Sequence, residues 1–225
     1  MIHFCSYFDK NYLSRFLALL ESLNAFNFKY TFFVLALDDF VVTFFEENNF
    51  KCVKVIRLDE LENKYKNLSV AKNNRDLIEY YFTLSPFLVK YISEELKISQ
   101  ISYLDADFYF FKDPKTTIER NIDFSIVLIK QNSNPKYGLY NVGWIYYNFD
   151  FYETLEIVDI WSEQCLNFCS DFPTSSSYAD QKYLDTWPQK LKNIKIMRPE
   201  STCLSPWDIN LLIETSVTSM LAFHF

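Results

Sequence analysis

Glycine is almost absent from this chain of 225 residues, which contains only Gly138 and Gly143. A P-loop needs a glycine-rich cradle for phosphates, and a dinucleotide-binding Rossmann turn needs the pattern G-x-G-x-x-G. The two glycines of this chain can form neither motif. A chain of this kind that binds a nucleotide must therefore neutralise the phosphates in another way.

Length and charge narrow the class of protein further. The length fits one large domain or at most two small ones, and 49% hydrophobic residues suffice for a sizeable core. The formal net charge is -7 and the sequence pI is about 4.9. Non-specific binding to nucleic acid requires clustered lysine and arginine, so we expect no nucleic-acid partner.

The cysteine pattern argues for a reducing compartment. The five cysteines are an odd number, they include no C-x-x-C pair, and only two histidines are present. A Cys/His zinc site is therefore not expected, and free thiols are typical of the cytosol. No signal peptide is recognisable at the N-terminus, and no apolar run has the length of a transmembrane helix. These features predict a cytoplasmic protein.

Apolar runs and helical periodicities alternate along the chain, which predicts an α/β fold with a mostly parallel central sheet flanked by helices. We expect strands at 2–8, 30–37, 52–58, 101–111, 124–129, 140–150 and 194–197. We expect helices at 11–26, 38–49, 151–168 and 178–187, and a further helix that starts at Ser85-Pro86 with the proline in its first turn. Gly143 lies inside a predicted strand, where a glycine often marks close approach of a ligand.

The stretch ISYLDADFYFF, residues 101–111, carries two aspartates inside an apolar run. A buried carboxylate needs a partner. Asp105 and Asp107 follow ISYL at the carboxyl end of a predicted strand, where open α/β sheets bind ligands. Side chains at i and i+2 of an extended chain point to one side. Both carboxylates could therefore hold one Mg²⁺ or Mn²⁺ ion that bridges a diphosphate.

Two other interpretations of the same stretch stay open. Aspartate-rich turns between strands are common and need no ligand. Haloacid dehalogenase-type phosphatases also carry D-x-D at a strand end, with the first aspartate as nucleophile and the second as general acid. Their pattern has Thr or Val where this chain has Tyr109, and a later Gly-Asp-x-x-x-Asp motif that this chain lacks.

Six stretches, taken in order and including the one with the two aspartates, resemble GT-A-type glycosyltransferases, in particular bacterial relatives of the retaining family 8. These stretches are FCSYFDKNYLSRFLALLESL, RDLIEYYFTLSPFLVKYI, YLDADFYFFKDP, YNVGWIYYN, YADQKYLDTWP and LSPWDINL with the final FHF. The resemblance covers nearly the whole chain. It implies a single GT-A domain over residues 1–225 and leaves open whether the chain is truncated at its C-terminus, since in relatives a glycine and further chain follow the late histidine.

The resemblance implies a metal site and a donor site. Asp105, Asp107 and His224 would hold Mn²⁺ or Mg²⁺ on the donor diphosphate, although His224 could be a structural residue of a terminal strand. The other implied donor-site residues are Tyr7 and Asp38 near base and ribose, Arg75 at a phosphate or the nucleotide edge, and Asn141 and Gly143 beside sugar and acceptor. Arg75 could equally be a solvated surface charge.

The implied catalytic residues are Asp180, Gln181 and Asp208. Asp180 and Gln181 would contact the donor sugar near its anomeric carbon, where an oxygen stabilises the oxocarbenium-like centre, while Asp180 could instead cap a helix. Asp208 is the candidate base on the acceptor side.

We therefore expect a retaining glycosyltransferase that uses a nucleotide sugar, with UDP as the nucleotide. Its acceptor would be a glycan or a lipid-linked molecule in polysaccharide synthesis, and the enzyme would be cytoplasmic or peripheral at the inner membrane. The alternative functions are a non-catalytic sugar-nucleotide-binding domain and, third, the phosphatase.

Overall fold

The structure is a computed structural model that describes residues 1–132, 134–214 and 220–225. Its strands are β1 (Ile2–Phe8), β2 (Tyr30–Ala36), β3 (Val53–Arg57), β4 (Gln100–Leu104), β5 (Phe108–Phe110), β6 (Ile126–Lys130), β7 (Tyr140–Asn148), β8 (Ile194–Met197), β9 (Cys203–Leu204) and β10 (Ala222–His224). Its helices are α1 (Leu13–Asn24), α2 (Asp39–Glu47), α3 (Leu58–Lys64), α4 (Leu68–Asn74), α5 (Leu77–Glu94), α6 (Lys115–Glu119), α7 (Tyr152–Asn167), α8 (Trp187–Lys190) and α9 (Ile209–Glu214).

The strands form two sheets. The central sheet has the order β3-β2-β1-β4-β7-β6-β8. Only the pairs that β7 makes with β4 and β6 are antiparallel, which confirms the predicted mostly parallel sheet. A small second sheet has the order β5-β10-β9, with β10 antiparallel to β5 and parallel to β9.

Apolar cores lie on both faces of the central sheet. The core beneath α5 and α7 includes Tyr80, Leu88 and Trp161, all of them buried. The core beneath α1 and α2 includes Phe16 and Phe32 and extends to the small sheet. Because both faces of the parallel strands are covered, their sequences are continuous apolar runs rather than alternating ones. None of the described helices combines the length and the apolar character that a membrane-crossing segment requires.

The prediction that a helix starts at Ser85-Pro86 was wrong, because α5 starts two turns earlier. Asp76 and Glu79 form a capping box at the N-terminus of α5, and Pro86 is buried in its interior. An interior proline removes one helical hydrogen bond. The capping box and the burial of the helix against the sheet outweigh that loss, so proline marks no boundary here.

The predicted strand at 101–111 is also interrupted. β4 belongs to the central sheet and β5 to the small sheet, and residues 105–107 connect them. The two aspartates therefore lie at the carboxyl end of a parallel strand, as predicted, but in a connection rather than in extended chain. The predicted helix at 178–187 is a 3-10 helix, Gln181–Thr186, followed by the short α8.

Candidate metal and nucleotide site

Three side chains predicted to bind a metal converge in the structure. His224 Nε2 lies 3.3 Å from Asp105 Oδ2 and 3.3 Å from Asp107 Oδ1. Each of the three residues offers one potential ligand atom, and these three atoms all lie within 4.8 Å of one another. We call Asp105, Asp107 and His224 the metal cluster.

Backbone pairing between the two sheets brings the metal cluster together. The Asp105 amide donates to the Gly143 carbonyl of β7 at 2.9 Å, and the Phe225 amide donates to the Asp107 carbonyl at 3.0 Å. His224 is paired with Phe108 in the small sheet, and the two rings stack at 4.7 Å. A histidine more than a hundred positions later is thus fixed beside the two aspartates.

The metal cluster occupies space that is open because residue 143 is a glycine without a side chain. A Cβ at this position would lie 2.7 Å from His224 Cε1, 2.8 Å from Asp105 Oδ2 and 2.9 Å from Asn141 Oδ1. Asn141 Oδ1 accepts from the Gly143 amide at 2.7 Å, and its Nδ2 lies 3.3 Å from His224 Nδ1. The structure therefore brings Asn141 and Gly143 to the metal cluster. The atoms close to Gly143 are side-chain atoms of the protein, and the close approach of a ligand stays a prediction.

The charge state of His224 depends on the two carboxylates. Burial lowers the pKa of His224, but the hydrogen bonds and negative charges of Asp105 and Asp107 outweigh burial and raise its pKa to about 9. Without another cation, the imidazolium is therefore the group that compensates the two carboxylates near neutral pH.

The metal cluster has the donor set that Mn²⁺ accepts. Carboxylate oxygens suit Mg²⁺ and Mn²⁺, and imidazole is a common additional ligand for transition metals. Because Gly143 has no Cβ, the space on its side of Asp105 Oδ2 stays open. Asp105, Asp107 and His224 thus fit a divalent cation and would be the residues that hold it.

A cavity of about 550 Å³ opens beside the metal cluster, over the carboxyl ends of β1, β2 and β4. This is the position at which open α/β sheets bind ligands. We call it the donor cavity, after the sugar donor that the sequence resemblance predicts. Its described lining consists of Tyr7, Phe8, Asp9, Asn11, Tyr12, Leu37, Leu77, Ile78, Tyr81, Phe82, Asp105, Ala106, Asp107 and His224. This lining includes no lysine and no arginine.

Of the residues predicted to bind the donor, Tyr7 lies in this cavity. Its hydroxyl is 3.1 Å from Ser85 Oγ, and its ring packs beside Tyr103 with 5.9 Å between centroids. Asp38 is instead the N-cap of α2, where one carboxylate oxygen accepts from the Val41 amide and the other from the Lys10 amide. The N-cap that the sequence indicated is confirmed. The described lining of the donor cavity does not include Asp38, and its nucleotide-binding role stays a prediction.

Asp180 is buried, with only 2% of its surface exposed, and the described lining of the donor cavity does not include it. Burial raises its pKa to about 7, and the negative charge of Asp105 acts in the same direction, while a hydrogen bond from Ser85 opposes the rise. Because Asp105 lines the donor cavity and is close enough to influence this pKa, Asp180 is a functional candidate.

The other two predicted catalytic side chains are engaged with backbone. Gln181 Nε2 donates to the Tyr137 carbonyl at 2.8 Å, and its Oε1 accepts from the Val142 amide at 3.3 Å. The buried Asp208 carboxylate accepts from the Ser205 amide at 2.9 Å. Burial raises the pKa of Asp208, and hydrogen bonds with Asn132 and Ser205 oppose that rise. Neither contact tests the predicted roles in catalysis, which stay predictions.

The described lining of the donor cavity does not include Arg75. This residue instead connects α5 with α7. Its Nη1 donates to Thr83 Oγ1 at 2.7 Å and to the Cys165 carbonyl at 2.8 Å, and its Nη2 donates to the Leu166 carbonyl at 2.7 Å. Carbonyls in the last turn of a helix have no helical partner. Arg75 therefore satisfies the C-terminus of α7 from the N-terminal side of α5.

We expect Arg75→Ala to lower the free energy of unfolding by about 2 kcal/mol, because the variant leaves part-buried carbonyls without their donor. The affinity for a nucleotide should stay within about twofold of wild type, a difference of roughly 0.4 kcal/mol. Urea unfolding and a calorimetric titration of UDP measure the two quantities. A folded Arg75→Ala protein that has lost nucleotide binding would instead support the role at the nucleotide edge.

Sequence reasoning missed several residues of the donor cavity. Asp9, Asn11 and Tyr12 follow β1 directly, and that position at a strand's carboxyl end was the signal that could have found them. The α5 residues Leu77 and Ile78 were missed because the start of α5 was misplaced.

Comparisons with known proteins give relatives and a fold. No protein-family model matches the chain. The uncharacterized protein YfnD of Bacillus subtilis is 25% identical over 217 residues, which cover 92% of this chain and 69% of YfnD. YfnF of the same organism is 25% identical over 219 residues, which cover 91% of this chain and 71% of YfnF.

Solved structures with similar folds are glycosyltransferases. Mouse xyloside xylosyltransferase 1 has a TM-score of 0.65 at 13% identity, covering 100% of this chain and 97% of that one. The galactosyltransferase LgtC, in complex with donor and acceptor sugar analogs, has a TM-score of 0.65 at 13% identity, covering 100% of this chain and 87% of LgtC. GlyE of Streptococcus pneumoniae has a TM-score of 0.62 at 10% identity, covering 100% of this chain and 54% of GlyE.

These TM-scores establish the fold. Because the sequence identities are low, the narrower resemblance to family 8 stays a prediction. The predicted mostly parallel sheet flanked by helices is the one that these structures share. The chain has the GT-A fold of these glycosyltransferases.

Proposed function

We propose that the protein is a metal-dependent glycosyltransferase that transfers a sugar from a nucleotide-diphosphate sugar to a glycan or lipid-linked acceptor. The observation that carries this proposal is the metal cluster in the lining of a donor cavity whose described residues include no lysine and no arginine. Glycosyltransferases with the same fold support it, among them LgtC in complex with donor and acceptor sugar analogs.

The charges in the donor cavity favour a donor that arrives with a cation. Asp9, Asp105 and Asp107 line the cavity and would repel a diphosphate. Two unit charges 4 Å apart interact by about 4 kcal/mol at an effective dielectric constant near 20, so like charges at this distance matter. A divalent cation held by the metal cluster would change this repulsion into attraction.

A polar pair in the lining of the donor cavity is complementary to a pyrimidine base. Asp9 Oδ2 accepts from Asn11 Nδ2 at 2.9 Å, which sets a carboxylate and an amide side by side, and the Tyr12 ring is partly exposed next to them. A carboxylate can accept from an imide N–H, and the second amide hydrogen can be donated to a carbonyl. Uracil carries both groups, so UDP is the nucleotide that we propose.

Residues around the sugar have separate roles in the proposed reaction. A bound divalent ion would act as a Lewis acid and as a template for the diphosphate leaving group. Asp180, when ionised, would stabilise the positive charge that develops at the anomeric carbon. Gln181 would contact the donor sugar near the same carbon. Asn141 and Gly143 would border the sugar and the acceptor, and Asp208 would be the base on the acceptor side. Retention of the anomeric configuration is part of the proposal and follows only from the resemblance to family 8.

The acceptor and the place of action follow from the proposed class. In a bacterium, the transfer would extend a surface polysaccharide or lipopolysaccharide, at the cytoplasmic side of the inner membrane. Acceptor sites lie on loops that vary between relatives of one fold, so the acceptor is proposed from the class of enzyme alone.

Calorimetric titration of UDP with Mn²⁺, and again with EDTA, tests the proposal. Wild type should bind UDP only with Mn²⁺, and Asp105→Asn/Asp107→Asn should weaken binding at least about 100-fold, a difference of about 2.7 kcal/mol. Asn keeps the size of Asp and removes the charge. Asp123→Asn/Asp171→Asn is the matched control, because it makes the same charge change at two exposed positions.

Turnover then separates the candidate functions. Release of UDP from one member of a UDP-sugar panel supports a transferase, whereas UDP binding without any turnover supports a non-catalytic sugar-nucleotide-binding domain. Metal-independent UDP binding would contradict the role of the metal cluster. Phosphate release from a simple phosphomonoester would support the phosphatase, although the GT-A fold favours the transferase.

A further inference from the structure

Tyr103 is a buried residue that contacts the metal cluster through Asp105. The proposed reaction gives Tyr103 no role. It lies in β4, paired with β1 on one side and β7 on the other, and only 2% of its surface is exposed. Its hydroxyl lies 2.7 Å from Asp105 Oδ1. An ionised carboxylate can only accept, so the tyrosine is the donor.

Asp105 is consequently held at three points. Tyr103 engages Oδ1, and the backbone amide of Asp105 donates to the Gly143 carbonyl. Oδ2 lies in the space that Gly143 leaves and faces His224 Nε2 at 3.3 Å. Oδ1 therefore accepts the hydrogen bond from Tyr103, and Oδ2 is directed toward His224 in the metal cluster.

Asp107 is held differently. Its backbone carbonyl accepts from the Phe225 amide, and within the described part of the chain its carboxylate contacts His224. No buried hydroxyl of the kind that Tyr103 supplies lies under it in that part of the chain. The two carboxylates thus differ in their described contacts: that of Asp105 has a hydroxyl donor in addition to His224, and that of Asp107 has His224 alone.

We propose that Tyr103 is a positioning residue of the metal site, which acts through Asp105 by directing Oδ2 toward the ion. This inference rests on the proposed function, because it requires an ion at the metal cluster. Partners that orient metal ligands in this way typically contribute about 10- to 100-fold to metal affinity. The Tyr103 ring also packs against Tyr7 in the donor cavity, so Tyr103→Phe keeps the packing and removes only the hydroxyl.

The experiment is Mn²⁺ titration followed by electron paramagnetic resonance of free Mn²⁺, without nucleotide. Tyr103→Phe should bind Mn²⁺ about 10- to 100-fold more weakly than wild type. Tyr146→Phe is the matched control, because it removes a buried tyrosine hydroxyl of β7 that has no hydrogen-bond partner among the described residues. This control should bind like wild type, and thermal unfolding in EDTA shows that each variant is folded.

Two further backgrounds separate positioning from a general loosening of the fold. In Asp105→Asn, the additional change Tyr103→Phe should have little effect on Mn²⁺ affinity, because the partner through which it acts is already altered. In Asp107→Asn, Tyr103→Phe should keep its full effect. An equal effect in both backgrounds, or wild-type affinity of Tyr103→Phe itself, would overturn the inference.

The same titration distinguishes failure of this inference from failure of the proposed function. Wild type that binds no Mn²⁺ overturns both. Wild type that binds Mn²⁺ but not UDP overturns the proposed function, while the comparison of Tyr103→Phe with Tyr146→Phe still decides the role of Tyr103.

Discussion

Replacing Gly143 with alanine should weaken Mn²⁺ binding by at least about 100-fold, the upper end of the loss that follows when metal ligands lose their orientation. The new Cβ would meet His224 Cε1, Asp105 Oδ2 and Asn141 Oδ1 at 2.7 to 2.9 Å, distances that real Cβ atoms do not show. His224 is buried against Phe108, and Asp105 is fixed by Tyr103, so neither can move without breaking another contact. One methyl group would therefore displace two ligands of the metal cluster at once.

The same substitution should lower the free energy of unfolding by about 1–3 kcal/mol, the usual cost of overpacking a buried position. Mn²⁺ titration and urea unfolding measure the two effects. Gly138→Ala is the control within this chain. Gly138 has a φ of +115°, so alanine is strained there, but its Cβ would meet no atom closer than 3.4 Å and none of the metal cluster. That variant should lose stability and keep its metal affinity. Full Mn²⁺ affinity in Gly143→Ala would contradict the site described above.

Asp180→Asn should make the protein more stable at neutral pH and nearly inactive. Burial raises the pKa of Asp180 from 3.8 to about 7, and each pKa unit corresponds to 1.36 kcal/mol, so the ionised group destabilises the fold by at most about 4 kcal/mol. Asparagine has the same size and carries no charge. The variant therefore removes this penalty and, with it, the charge that would stabilise the anomeric centre.

The effect on stability should depend on pH with a definite sign. The folded state binds the Asp180 proton more tightly than the unfolded state does, so this group lowers stability as pH rises from about 4 to about 7. The stability difference between Asp180→Asn and wild type should be small at pH 4, grow up to pH 7 and then stay constant. Urea unfolding in EDTA at a series of pH values measures it, with the exposed Asp171→Asn as control.

Activity provides the second half of this prediction. Turnover of the UDP-sugar should fall by about 10²- to 10³-fold, comparable to the loss of one stabilising group at a developing charge. Affinity for UDP should change little, because UDP lacks the sugar. A variant that is stabilised and fully active would show that Asp180 is buried for another reason and would remove it from the proposed catalytic residues.

The alternation of apolar runs predicted the α/β fold, because parallel strands covered on both faces leave a strong signal. The antiparallel course of β7 was not predictable in this way, since strand direction is set by contacts between distant segments. Pro86 misled the prediction for α5, because burial of that helix outweighs one lost hydrogen bond.

The candidate site was predicted in part. Asp105 and Asp107 were found because charge inside an apolar run is conspicuous, and His224 and Asn141 through the resemblance. Tyr103 could not be found, because a tyrosine in a buried strand looks like an ordinary core residue until its hydroxyl is located. Arg75 illustrates the opposite case, since its sequence context does not reveal that its partners are carbonyls of α7.

The arrangement of the small sheet has a consequence for how the protein acquires its structure. β5 follows the aspartates directly, whereas β10, its neighbour in that sheet, comes about half the chain later. Pairings between such distant segments form slowly, because a long loop must close before any contact compensates for it. The central sheet can therefore assemble while the third ligand is still absent. We expect the appearance of high-affinity Mn²⁺ binding during refolding to lag behind the formation of secondary structure, so that the ion reports completion of the last step.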